Sequence, residues 1–190
     1  MEYKNYQRAR DLVWRILLEE GVRALPIGVV PLCNRRGIRV KLYEGEGEDG
    51  YVQIKDGVPV IFLNVRVTLR GRQRFTVAHE LGHVLLGHVG RYSPLVNREP
   101  VLSVQGGKED PWEQEANVFA ARLLAPACVL WGCGAWEPRQ IMALCDISHQ
   151  AAVFRAARMA ELRERGMFLS SPLERAVYEQ FLPYIESHRF

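Results

Sequence analysis

The sequence predicts an α+β domain: a small antiparallel sheet packed against a central helix, extended by a helical tail. β-rich runs gather between residues 38 and 65, helical periodicity flanks them on both sides, and nothing after Pro126 reads as a strand. At 190 residues the chain is long enough for one sizeable core. Its 48% hydrophobic and 25% charged residues match an ordinary globular composition, which argues against long disordered tracts. A net charge of +3 with no long run of one sign argues against nucleic acid or an acidic membrane surface as the main partner. The longest apolar runs, such as Val58–Val65, fall well short of the ~20 residues that cross a bilayer. The start, Met1-Glu2-Tyr3-Lys4-Asn5, lacks the layout of a signal peptide, so a cytoplasmic setting is expected. Cys33, Cys128, Cys133 and Cys145 show no spacing of a zinc knuckle or disulfide framework and are expected as reduced thiols.

The elements follow in order. Tyr6, Ala9, Leu12, Val13, Ile16 and Leu17 recur at helical spacing up to a stop at Gly21, which predicts a first helix. Pro26–Cys33 is a short apolar piece, and Ile38–Tyr43 alternates like a half-buried strand. Beyond the acidic, glycine-rich loop 44–50, two β-rich runs, Tyr51–Lys55 and Val58–Val65, are joined by Asp56-Gly57, a pair suited to a tight hairpin turn. Arg70 to Gly87 carries Val77, Leu81, Val84 and Leu85 as one apolar stripe and is the second long helix. Gly90–Lys108 reads as loop, with a short strand expected at Val101–Val104. Asp110 as cap and Pro111 at the first helical position open a third helix that Pro126 ends. Pro138–Cys145, Ser148–Arg165 and Pro172–Glu186 complete the chain as helices. Residues 1–135 are read as one domain and 136–190 as a helical extension.

The chemistry lies in His79-Glu80-Leu81-Gly82-His83, an H-E-x-x-H pattern inside a predicted helix. At about 100° per residue the two histidines lie about 40° apart and can reach one metal ion, for which zinc is the natural occupant. Glu80 is rotated about 60° from His83, so it borders the metal and is placed as a general base for a water that the metal activates. The reaction expected is hydrolysis. Val77, Leu81 and Leu85 lie opposite the histidines, so the helix packs by one face and presents the pair on the other.

A catalytic zinc with two histidines needs a third protein ligand. His88 falls in line with Val77, Leu81 and Leu85 on an extended helical wheel and is set aside as a helix-end residue; His149 and His188 are read as structural. Glu113 and Glu115 are the carboxylate candidates. Glu113 shares its face with the small residues Ala116, Asn117 and Ala120 and is preferred, with Glu115 as the fallback. Asn117 is placed to hydrogen-bond a ligand from behind. The competing role for Glu113 is to close a capping box with Asp110. Arg74, Tyr92 and Arg122 are candidate oxyanion partners.

Arg74-Phe75-Thr76-Val77-Ala78-His79-Glu80-Leu81-Gly82-His83, and then Glu113-Gln114-Glu115-Ala116-Asn117-Val118-Phe119-Ala120-Ala121-Arg122-Leu123-Leu124-Ala125-Pro126, closely resemble the paired motifs of the ImmA/IrrE family of bacterial metallopeptidases, of the peptidase M78 type. One departure is Ala125, where methionine is usual. The resemblance spans roughly Pro26–Pro126. It implies a zincin-like metallopeptidase fold, zinc held by His79, His83 and Glu113, and Glu80 as general base. It also implies a protein substrate, a helix-turn-helix repressor, here expected as a separate protein because only about 25 residues precede the resembling region. In the tail, Gln140–Asp146 and His149–Arg163 are spaced like a helix-turn-helix, with Arg155 and Arg158 on the second helix; Arg155 stands where a recognition helix wants an aliphatic residue, which argues against DNA binding. The function expected is that of a zinc endopeptidase with a narrow protein substrate. The alternatives are a non-catalytic zinc-containing regulator that binds a partner or DNA, and a zinc hydrolase of small molecules.

Overall fold

The computed structural model describes residues 3–89 and 110–190, with side chains from residue 6 onward. The expected strand at Val101–Val104 lies outside the described residues. Helices α1 (Tyr3–Glu19) and α2 (Val29–Arg35) lead into strands β1 (Arg39–Tyr43), β2 (Gly50–Lys55) and β3 (Val58–Asn64), then α3 (Arg70–Leu85) and α4 (Pro111–Leu124). Helices α5 (Ala127–Gly132), α6 (Pro138–Cys145), α7 (His149–Glu164), α8 (Pro172–Gln180) and α9 (Leu182–Ser187) follow.

β2 and β3 form the expected hairpin, with Asp56 and Gly57 both at positive φ (52° and 77°), the backbone that a tight hairpin turn requires. The sheet is not wholly antiparallel, which corrects the sequence reading: its order is β1-β3-β2, and β1 runs parallel to β3 with Arg39 opposite Val60 and Tyr43 opposite Asn64. The hairpin occupies one edge of β3 and leaves β1 the other, so the chain after β1 must cross the end of β3. Asn64 holds that crossing: its Nδ2 donates to the carbonyls of Gly45 and Glu48, both at 2.9 Å, and its backbone N–H donates to Asp49 O at 2.8 Å.

One buried apolar cluster joins α1 (Ala9, Val13, Trp14, Ile16, Leu17), the sheet (Ile61, Leu63), α3 (Val77, Leu81), α4 (Phe119, Leu123) and the tail (Ile141, Met159, Val177, Phe181). Gln180 ties the tail to the first helix, its Nε2 donating to Leu17 O at 2.7 Å and to Val22 O, in the turn after α1, at 2.8 Å. The apolar piece after Pro26 is largely helical, as α2, and α5 is a helix that the sequence reading left out. The single helix expected over Pro172–Glu186 is two, because Pro183 cannot donate in a helix interior and sits instead in the first turn of α9.

In the tail, α6 ends at Asp146 in the left-handed conformation and Ser148 caps α7, accepting from Ala151 N–H at 3.2 Å. The two arginines singled out on α7 turn inward. Arg155 is buried, and its Nε and Nη2 have no hydrogen-bond partner among the described residues; burial, then the charge of Arg122, push its guanidinium down to about 10. Arg158 donates to Tyr6 Oη at 3.0 Å and pairs with Glu161. All four cysteines are free thiols, buried.

Candidate metal centre

Two helices build the centre, and small residues let them approach. A Cβ added at Gly82 of α3 would lie 3.0 Å from Phe119 Cδ1 and 3.4 Å from the Cα of Ala116 on α4. Arg74 fixes the start of α3, donating to Ile27 O at 3.0 Å, Asp146 O at 3.1 Å and Cys145 O at 3.2 Å. Asp110 caps α4, its Oδ1 accepting from Trp112 N–H at 2.9 Å, with Pro111 beginning the helix. Glu113, in the first turn, is thereby aimed at the histidines.

His79 Nε2 lies 3.1 Å from Glu113 Oε2 and 3.0 Å from His83 Nε2, and His83 Nε2 lies 3.3 Å from Glu113 Oε1. One ligand atom from each of the three residues falls within 4.8 Å of the others, a group able to hold a metal ion. Burial works against a charge on Glu113, but the hydrogen bonds and charges of His79 and His83 outweigh it and hold its carboxyl well below the usual carboxylate range. Burial likewise opposes protonation of His79, yet Glu113 and Glu80 raise its pKa. Glu80 is buried beside the pair, 7% exposed.

The outer nitrogens of both imidazoles are engaged. Asn117 Oδ1 lies 2.9 Å from His79 Nδ1, so the amide oxygen accepts from the ring N–H. His83 Nδ1 lies 3.1 Å from Nδ1 of His88. His88 stands just past the helix end, as expected, and outside the metal group, but the face assigned to it is corrected here. It extended the helical wheel through position 88, but α3 stops at Leu85: Gly87 takes φ +73°, and the bonds Gly87 N–H to Val84 O (3.1 Å) and His88 N–H to His83 O (2.9 Å) turn the chain back. His88 is buried, stacks on Trp112 (5.5 Å between centroids, 11° between planes) and brings its Nε2 to 3.1 Å from Glu115 Oε2. Glu115, the fallback ligand, therefore stands behind His88 and not at the metal group. Arg8 Nη1 approaches both Glu115 oxygens at 3.5 Å, and its Nη2 donates to Leu86 O. Gly87 followed by His88, just past the apolar stripe, was the available signal for this turn; Arg8 left none.

Of the oxyanion candidates, Arg74 is committed to the three carbonyls above. Arg122 is buried, with its guanidinium 4.3 Å over the Tyr6 ring and donating to Tyr6 Oη. Tyr92 lies outside the described residues.

Residues 33–131 match the family model Peptidase M78, the IrrE N-terminal-like domain, over just more than half of the chain. The chain belongs to this family. The M78 segment takes in the sheet, α3 and α4, and so His79, Glu80, His83, His88, Glu113, Glu115 and Asn117; α1 with Arg8, and α6 to α9, lie outside it. No curated protein matches this M78 chain. Membership of a peptidase family with a possible His/His/Glu site indicates metallopeptidase activity. No helix among the described residues is long and apolar enough to cross a membrane.

Proposed function

We propose that this M78 chain is a zincin-like zinc endopeptidase that hydrolyses peptide bonds in a specific cytoplasmic protein, a helix-turn-helix repressor. The observation that carries this reading is the convergence of His79 Nε2, His83 Nε2 and one Glu113 oxygen, with Glu80 buried beside them. Zinc at about 2.0–2.1 Å from each donor in a tetrahedral site places the donors about 3.3 Å apart, close to the 3.0–3.3 Å separations here. The three protein ligands that the described residues offer leave one position of a tetrahedral ion for water or substrate, which favours catalysis over a purely structural or regulatory zinc.

When bound, zinc would supply Lewis acidity, polarising the scissile carbonyl and acidifying the attacking water. Glu80 accepts the proton of that water and returns it to the nitrogen of the departing amine, the two halves of general base and general acid catalysis. Glu113 serves as an anion, the state in which its surroundings hold it. Asn117 keeps the proton of His79 on Nδ1 and leaves Nε2 as a donor atom. The repressor substrate rests on the likeness of the two motif helices to the ImmA/IrrE metallopeptidases.

The test is incubation of the purified protein with the repressor encoded by the neighbouring gene, with and without chelator, followed on a gel. A cut that chelator abolishes and added zinc restores is the expected result; an intact repressor under all conditions overturns the substrate.

A further inference from the structure

We propose that His88 and Glu115 are positioning residues that set the tautomer and ring orientation of His83, and so determine how tightly this centre holds its metal. The inference rests on the zinc reading above and goes beyond it, since it gives a role to two residues outside the ligand set.

Donor and acceptor accounting carries it. Glu115 is 2% exposed, and an ionised carboxylate offers only acceptors, so at 3.1 Å the proton between it and His88 belongs to His88 Nε2. A neutral imidazole with its proton on Nε2 presents a lone pair at Nδ1, and that atom faces His83 Nδ1 at 3.1 Å. Two lone pairs cannot face each other there, so His83 carries its proton on Nδ1. Its Nε2 is then unprotonated and directed at His79 and Glu113, as a metal ligand requires. Trp112 stacks on the His88 ring and fixes the plane in which the two nitrogens point along this chain. His79 obtains the same orientation from Asn117; His83 obtains it through one further ring. Arg8 closes the outer end, but at 3.5 Å and on an exposed side chain it contributes little.

The experiment measures zinc affinity of the full chain by chelator competition, with the thermal melt recorded for each variant. Partners behind a ligating histidine change metal affinity by about 10-fold to 100-fold. His88→Phe preserves the ring and its stacking but breaks the chain of hydrogen bonds, and should weaken zinc binding by about that factor. His88→Gln can still accept from His83 and donate to Glu115, and should bind more tightly than His88→Phe. A role in packing alone predicts the reverse order, because the aromatic ring is then the better substitute, and that order overturns the proposal. If both variants melt early, position 115 decides: Glu115→Gln can still accept from His88 whereas Glu115→Leu cannot, so Gln above Leu supports the proposal and equal affinities overturn it. Wild-type protein that binds no zinc overturns the zinc reading itself. Wild-type protein that binds zinc while the variants match it overturns only the positioning role.

Discussion

Glu80, Glu113 and Glu115 are three glutamates around one pair of histidines, and their surroundings set them to different tasks. Glu113 touches both Nε2 atoms, Glu115 touches the ring behind His83, and Glu80 lies buried beside the pair. Glu80→Gln should therefore keep zinc near one per chain while activity falls on the order of 10²-fold or more, measured by metal analysis and single-turnover cleavage; zinc lost together with activity would make Glu80 a ligand. Glu113→Ala should weaken zinc binding more than Glu115→Ala does, in the same competition assay, because the first removes a donor atom and the second only its support. The H-E-x-x-H pair and Glu113 were legible because helical spacing and small neighbours are local properties of the sequence. His88 was not, since a wheel drawn through Gly87 assigns its side chain to the wrong face.

Helices α3 and α4 meet where Gly82 faces Phe119 and Ala116, and the ligand geometry is only as firm as that contact. Gly82→Ala should force Phe119 outward, cost about 1–3 kcal/mol as overpacking does, and weaken zinc binding; Phe119→Leu in the same chain should recover part of both losses, by melt and by competition. Helix α8 supplies a pH-dependent case. Glu174 accepts from Ser170 N–H at 3.1 Å, but burial outweighs that bond and the charges of Arg10 and Arg122, and raises its pKa. A raised carboxyl favours the protonated form in the fold, so its contribution is fully present below the ordinary glutamate pKa of about 4.3 and is lost as pH rises through the folded value. Glu174→Gln should therefore melt higher than wild type at pH 7, with the gap closing towards pH 4. Turn and cap signals at this scale, Asp56-Gly57 and Asp110-Pro111, were readable because each is satisfied within a few residues. The partner of β1 was not: alternation says that a strand exists, whereas its pairing depends on which edge of β3 the hairpin leaves free.

At the scale of the whole molecule, narrow specificity is the property to test. The chain from Gly90 to Lys108 connects the two ligand-bearing helices and exceeds the ~15 residues that a simple connection needs, which makes it the stretch best placed in sequence to restrict access. Zinc-loaded protein should leave casein essentially untouched while cutting a cognate repressor at one or a few sites; rapid casein digestion at low enzyme concentration would remove the narrow specificity and leave the peptidase. The bond from Gln180 to the end of α1 also has a consequence in time. Leu17 and Gln180 are 163 residues apart, so on a ribosome adding about 5–20 residues per second the turn that ends α1 waits roughly 10–30 s for the side chain that bridges Leu17 O and Val22 O. Until α8 has been made, α1, which packs on α4, lacks this tie to the tail.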